Sequence, residues 1–269
     1  MKRIMALGGL LLSICALGSS QTISPGRVVI PLRNSAGPRV VELSTSMGNI
    51  IVRTHPGGDV VAETDGASRS SERSRDGMHR IDIPPGEGIE VSEHDNVIHL
   101  RAPWRGGGNH NVTLTVPVET SLSLKTTMGN INVEGVHGEI DVTSTSGNIT
   151  LTSVSGTVVA STTMGSQKVT MDRVDPSKPL AFSSVNGSID VTFPPDLKAN
   201  LTFKTGLSEI WSDFDVTLTG TSRSGSMHQL SRNRRSDSMD SALSGSINGG
   251  GVQISFHAVN GGINVRKKK

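Results

Sequence analysis

The chain has 269 residues, with 31 Gly, no Tyr, 5 Phe and 2 Trp, and 26 Lys and Arg against 24 Asp and Glu. So few aromatics exclude a base-stacking surface for single-stranded nucleic acid, and the small net charge of +2 excludes a phosphate-tracking groove. A single cysteine excludes a disulfide framework and any multi-cysteine metal site, while abundant alternating Val, Ile and Leu argue against wholesale disorder.

Residues 1–20 read as a signal peptide. Lys2-Arg3 is a basic n-region, Ile4 to Leu17 an apolar run, and Gly18-Ser19-Ser20 offers small residues for cleavage. The run is shorter than the ~20 residues that span a bilayer, and no other stretch is long or apolar enough, so no transmembrane segment is expected after cleavage. Cys15 sits where a lipoprotein signal would place its cysteine, but Ile14 is larger than the residue such a signal wants. A lipid anchor at Cys15 is therefore the lesser expectation. Cleavage removes Lys2 and Arg3, leaving 26 − 2 = 24 basic against 24 acidic residues. Four of the remaining positive charges are Arg266 to Lys269, so the body counts 20 against 24. The basicity belongs to the two ends.

Residues 21–110 read as irregular and β-rich. Strand-like runs occur at 39–43, 60–63, 89–91 and 97–100, around one motif, Ser46-Met47-Gly48-Asn49-Ile50-Ile51-Val52. Ala67–Asp76 is Ser- and Arg-rich and reads as a loop, Pro84-Pro85-Gly86 as a turn and Gly106-Gly107-Gly108 as a flexible connection. Val112, Leu114 and Val116 stand out of register with the later columns. The region is expected to cap a repeat domain.

That domain is expected over 111–269. Gly129, Gly138, Gly147, Gly156 and Gly165 recur every nine residues, each followed by an alternating apolar pair, so that nine residues make one strand and one turn. Two flavours of repeat alternate, which makes the period eighteen and gives matched columns: Leu122/Ile140/Val158, Leu124/Val142/Ala160, Ile131/Ile149, Val133/Leu151 and Val136/Val154. Like side chains at every rung are what a solenoid core requires. The fold class implied is all-β, a parallel β-helix-like solenoid with coils of two short strands. A two-residue delay at Gly165-Ser166-Gln167-Lys168 would place Val169, Met171 and Val174 beneath Ile149, Leu151 and Val154. A second delay puts Leu180 and Phe182 beneath Val158 and Ala160. Gly187 restarts the motif, and Leu201, Phe203 and Ile210 come after it. All five Phe lie at or beyond position 182, so the coil is expected to widen there. Residues 221–242, with Arg223, Arg232, Arg234 and Arg235, read as a mobile Ser/Arg-rich loop. The motif returns over 245–265, and the terminal lysines are expected to keep another strand from adding to that edge.

Val112–Val116 with Pro117, then Leu122-Ser-Leu-Lys-Thr-Thr-Met-Gly129-Asn-Ile-Asn-Val-Glu-Gly-Val136, resemble the bacterial putative-adhesin family of β-solenoid domains of unknown function. Phe182 to Val191 and the Asn248 to Ile263 ending fit the same pattern. The resemblance covers about 112–220 and 243–266 and is faint before 110. It implies an extracytoplasmic, adhesin-like protein and brings no catalytic residues.

Chemistry is sparse. Glu139 and Asp141 face outward, but eighteen residues later stand Thr157 and Val159, so these acids do not stack. Glu209, Asp213 and Asp215 form the densest acidic group, read as a solvated strand edge near Trp211 and Phe214. His94 and His99 lack the i, i+4 spacing of a helical zinc pair, and Gly249-Gly250-Gly251 lacks the aspartate of a Ca²⁺-binding repeat. The rows Asn130/Asn148 and Thr127/Thr145/Thr163 could face a ligand, but they read first as side chains satisfying turn backbone groups. No catalytic, cofactor or metal site is assigned. The function expected is that of a non-catalytic adhesin-like binding or structural protein of the bacterial cell envelope, outside the cytoplasm, with a surface glycan or envelope protein as partner. The alternative is a β-helix enzyme acting on envelope or extracellular polysaccharide.

Overall fold

A computed structural model describes residues 27–30, 39–64, 90–94, 96–102, 111–206, 209–223 and 241–269. The expected leader with Cys15, the 67–76 loop, the turn at 84–86, the glycine run at 106–108 and positions 224–240 lie outside the described residues. Within them the chain is all-β. The first strands are β1 (Arg27–Ile30), β2 (Val40–Met47), β3 (Ile50–His55), β4 (Val60–Thr64), β5 (Glu90–His94) and β6 (Val97–Ala102). The middle of the chain supplies β7 (Val112–Pro117), β8 (Ser121–Met128), β9 (Ile131–Glu134), β10 (His137–Ser146), β11 (Ile149–Met164), β12 (Gln167–Val174), β13 (Leu180–Asn186) and β14 (Ile189–Phe193). Then come β15 (Ala199–Thr205), β16 (Ile210–Ser212), β17 (Val216–Arg223), β18 (Ser241–Ile247), β19 (Val252–Asn260) and β20 (Ile263–Lys267).

Each coil gives one strand to each of two parallel faces, which is the solenoid the column spacing implies. On the first face the spatial order is β6, β2, β8, β10, the second half of β11, β13, β19 and β15. On the second it is β7, β3, β9, the first half of β11, β12, β14, β20 and β16. Antiparallel strands close the stack: β5 on β6 and β4 with β1 on β7 at one end, β18 and β17 on β15 at the other. Inward side chains alternate with outward ones along the strands, as in the buried–exposed pattern of β19.

Spatial order departs from chain order twice. The coil β2–β3 sits between β6–β7 and β8–β9, and the coil β19–β20 sits between β13–β14 and β15–β16. This corrects two readings. Val112 and Leu114 lie in the Ile131 and Val133 columns after all, because Ile50 and Val52 of β3 stand between them and carry the register. Residues 266–269 do not guard an open edge: β20 is an interior strand, where Arg266 pairs with Asp190 at 2.9 Å and Lys268 with Asp172 at 2.8 Å.

The remaining columns are as the spacing demands, with one exception. Leu122, Ile140 and Val158 stack, as do Leu124, Val142, Ala160 and Phe182, and every one is buried. No two-residue delay occurs at Gly165, however. Gln167 pairs with Ile149, Val169 with Leu151 and Met171 with Val154, and the slip comes at a bulge between Leu151 and Ser155. Turn hydrogen bonds from Gly147 N to Met164 O and Ile149 N to Ser166 O hold the eighteen-residue spacing there. Gln167 consequently enters an isoleucine column, buried to 1% exposure, and its amide donates to the carbonyls of Ala160 at 3.2 Å and Ser183 at 2.5 Å. Gly138 and Gly156 also differ from expectation. Gly156 lies inside the unbroken β11, where the corner takes positive φ at Ser153 (52°) and at Gly156 itself (110°), whereas Gly138 lies in β10 without positive φ, the turn before it being made by Gly135 (74°).

The other corner is built from three ladders. Gly48, Gly129, Gly147, Gly165, Gly187 and Gly261 stack with φ between 128° and 153°. A Cβ on Gly147 would lie 2.0 Å from the carbonyl oxygen of Gly129, and the same holds rung by rung. Beside them, each turn N–H is met by the side chain of the rung before: Asn49 Oδ1 accepts from Asn130 N, Asn130 Oδ1 from Asn148 N, both at 2.9 Å, and Asn148 Oδ1 from Ser166 N at 2.8 Å. Inside, hydroxyls of Ser144, Thr162 and Ser184 donate to the carbonyls of Gly129, Gly147 and Gly165 at 3.2–3.3 Å. Toward the far end the coil lengthens, as Gly165 to Gly187 is 187 − 165 = 22 residues against the earlier eighteen. Phe182, Phe256 and Phe203 fill it as a stack with centroids 5.3 and 5.1 Å apart.

Substitutions at four positions check this account by equilibrium unfolding. Gly147→Ala should destabilise by roughly 3 kcal/mol or more, because a carbonyl occupies the new methyl's place, whereas Gly58→Ala, with open space around it, should stay within about 0.5 kcal/mol. Asn130→Ala should cost about 1 kcal/mol, and Asn130→Asp, which keeps the acceptor, less than half of that. Phe256→Ala should cost about 3–5 kcal/mol, since it opens a cavity between two stacked rings.

Candidate functional site

The carboxylates singled out by sequence are dispersed. Glu139 lies opposite Thr157 and Asp141 opposite Val159 and Ser123, so neither acid meets another across the rungs. Glu139 is instead ion-paired with Lys178, and that hydrogen bond raises the Lys178 pKa. Asp175, capped by the Ser177 hydroxyl at 2.6 Å and its N–H at 2.9 Å, is held below the ordinary carboxylate range. These exposed pairs add little to stability.

Among the histidines, His99 Nδ1 lies 2.9 Å from Glu42 Oε2 on the neighbouring coil, and His55 Nε2 lies 2.7 Å from Asp59 O. His94 and His99 are on the paired strands β5 and β6. Among the described residues no three His, Cys, Asp or Glu gather as metal ligands.

The Asn130/Asn148 row is used by the turns. The Thr127/Thr145/Thr163 row is not: these side chains are exposed, and the hydroxyls that reach the glycine carbonyls belong to the buried residue before each. Sequence reasoning missed that row because Thr126, Ser144, Thr162 and Ser184 are polar side chains on the inward phase of the strands, a placement visible in the alternation once the columns are fixed.

One concave feature involves the acidic group of β16 and its turn. Ile210 packs inward, which turns Trp211 outward on the edge strand, 65% exposed. Trp211 stands opposite Asn264 of β20, and Asn264 opposite Asp190 of β14. The indole Nε1 donates to Glu209 Oε2 at 3.3 Å, and Lys267 N donates to Asp213 Oδ2 at 3.3 Å. Arg266 Nε donates to both Asp190 oxygens at 2.9 Å, which raises the Arg266 pKa. Lys267 Nζ lies 5.9 Å over the Phe214 ring. Trp211, Asp213, Asn264, Val265 and Arg266 line a shallow pocket of about 340 Å³. Asp215 is exposed in the turn after β16. Glu209 and Asp213 thus have structural partners, and the trio stands in the open rather than in a closed cleft.

No helix among the described residues is long and apolar enough to cross a membrane. No curated protein sequence matches the chain. Two solved structures are similar to it. A putative cell adhesion protein from Clostridium sporogenes shares 8% identity, with 91% of this chain and 100% of that chain covered, at a TM-score of 0.41. A putative adhesin from Bacteroides fragilis shares 12% identity, with 91% of this chain and 98% of that chain covered, at a TM-score of 0.34. Residues 108–215, which carry the central coils from β7 to β16, match the family Toastrack DUF4097, in keeping with the resemblance of this region to β-solenoid domains of unknown function.

Proposed function

We propose that the protein is a non-catalytic, adhesin-like binding module acting outside the cytoplasm at the bacterial cell envelope, with a surface glycan or an envelope protein as its partner. The observation that carries this reading is the pair of long outward faces. On the second face, Thr113, Ile51, Asn132, Thr150, Lys168, Asp190, Asn264 and Trp211 succeed one another strand by strand, a mixed row spaced by the ~4.8 Å of a β-ladder. Such a row offers many weak, regularly spaced contacts to an extended partner, and hydrolysis by contrast needs two carboxyl groups converging at about 5–10 Å on a bound sugar. The leader-like residues 1–20 and the absence of any cysteine after them support an oxidising destination.

Purified chain lacking residues 1–20 should bind in a pull-down against intact cells, peptidoglycan and immobilised glycans. Retention on none of them would overturn the reading. The alternative, an enzyme acting on polysaccharide, rests on Glu209, Asp213 and Asp215. Reducing-sugar release from a panel of polysaccharides should stay at the blank level, and release that disappears in Glu209→Ala, Asp213→Ala or Asp215→Ala would establish the enzyme instead.

A further inference from the structure

We infer that the pocket at Trp211 is a saccharide subsite, built to stack one neutral pyranose ring on the indole. This deepens the binding role proposed above and rests on it. Trp211 is the most exposed of the large apolar side chains among the described residues, at 65%, yet it is not a loose surface residue. Ile210, half-buried against the core, points to the other side of the strand, and the Trp211 Nε1 is tied along the ring edge to Glu209. The edge is therefore engaged and the flat face is offered. An aromatic face of that kind presents apolar area with a quadrupole, matching the C–H face of a sugar ring.

The surroundings of the ring distinguish a saccharide from a protein partner. A protein hot spot seats its aromatic within neighbours that exclude water. Here the lining is Asp213, Asn264 and Arg266, with Val265 buried beneath. Those three present a carboxylate, an amide and a guanidinium, the planar groups that exchange hydrogen bonds with hydroxyls on adjacent carbons. Asn264 is the cross-strand partner of Trp211, one ladder spacing away. Arg266 is oriented by the two bonds from its Nε to Asp190.

Charge selects the class further. Asp190 already neutralises Arg266, while Asp213 and Glu209 carry two negative charges at the rim against the one positive charge of Lys267 over Phe214. A uronate or sulfated sugar would meet that net negative rim and be repelled. The volume of about 340 Å³ is near the lower end for small-molecule sites, which fits one ring of a chain that continues along the face. One shallow ring site implies weak binding, on the order of millimolar for a short oligosaccharide, strengthened when several copies engage one polymer.

The test monitors tryptophan fluorescence of the chain lacking residues 1–20 as cello-oligosaccharides, N-acetylglucosamine oligomers and a polyuronate are added, alongside the pull-down above. Trp104→Phe leaves Trp211 as the reporter. A saturable fluorescence change with a neutral oligosaccharide, retained in Trp104→Phe, is the expected result, together with calorimetric binding of the same oligosaccharide that weakens at least about tenfold in Trp211→Ala and is in part restored by Trp211→Phe. Circular dichroism of each variant establishes that it is folded, and Asn264→Ala serves as an independent variant should Trp211→Ala fail to fold. Binding undiminished in Trp211→Ala overturns the subsite and leaves the envelope-binding role standing. So does a chain that captures an envelope protein and no saccharide. A polyuronate that binds more tightly than every neutral oligomer overturns the choice of a neutral ring. Retention on nothing removes the subsite and the binding role together.

Discussion

Successive coils approach so closely at one corner that no β-carbon fits between them. Each ladder glycine from Gly129 to Gly261 sits with its missing side chain against the carbonyl of the rung before, at 2.0–2.3 Å from where a Cβ would stand. That contact fixes the separation of the coils, and with it the register of every column. It also fixes which polar groups must be answered locally, because carbonyls pressed against the next rung cannot turn to water. Asparagine side chains outside the corner and Ser or Thr hydroxyls inside it supply those answers. The sequence motif of Thr or Ser, then two residues, then Gly and Asn, is the chemical shadow of this one close approach.

The same constraint separates structural polar residues from those left for recognition. The most repetitive polar side chains, the Asn rungs, are used within the fold. The outward faces vary from rung to rung: Asn132, Thr150, Lys168, Asp190 and Asn264 occupy equivalent places with different chemistry. Variation is tolerated there because an outward side chain need not match the packing of the next rung, even where it pairs across strands as Asp190 does with Arg266. Trp211 occupies the last place of that row, on β16, whose other edge has no strand pairing among the described residues.

The columns from Leu122 to Ala160 were legible in the sequence because a local period of eighteen places like residues on adjacent rungs, and Phe182 beneath Ala160 came with the longer coil. Anything that depends on coils distant in sequence becoming neighbours escaped. Val112 read as out of register only because β3, more than fifty residues earlier, fills the rung between it and Ile131. Gln167 escaped for a different reason. Hydrophobic alternation favours Val169 as the first inward residue, but the turn hydrogen bonds fix the count and force an amide inward, where two carbonyls receive it. The pocket was half legible: the acids and Trp211 were visible as a cluster, while Asn264 and Arg266 arrive from a segment some fifty residues on.

Interleaving at both ends changes how the stack bears load. In a simple spiral the first and last rungs are outermost and peel away one hydrogen bond at a time. Here the rung nearest each end of the described chain is clamped on both sides, β2–β3 by β6–β7 and β8–β9, and β19–β20 by β13–β14 and β15–β16. Tension entering through Lys267 would have to shear Ile263, Asn264 and Val265 from two parallel neighbours at once. Peeling from the outside, by contrast, first meets the antiparallel strands, β5 on β6 and β4 with β1 on β7 at one end, β18 with β17 on β15 at the other. The arrangement resembles a splice more than a zipper, and it gives a slender rod a grip on its own ends that does not depend on a larger core.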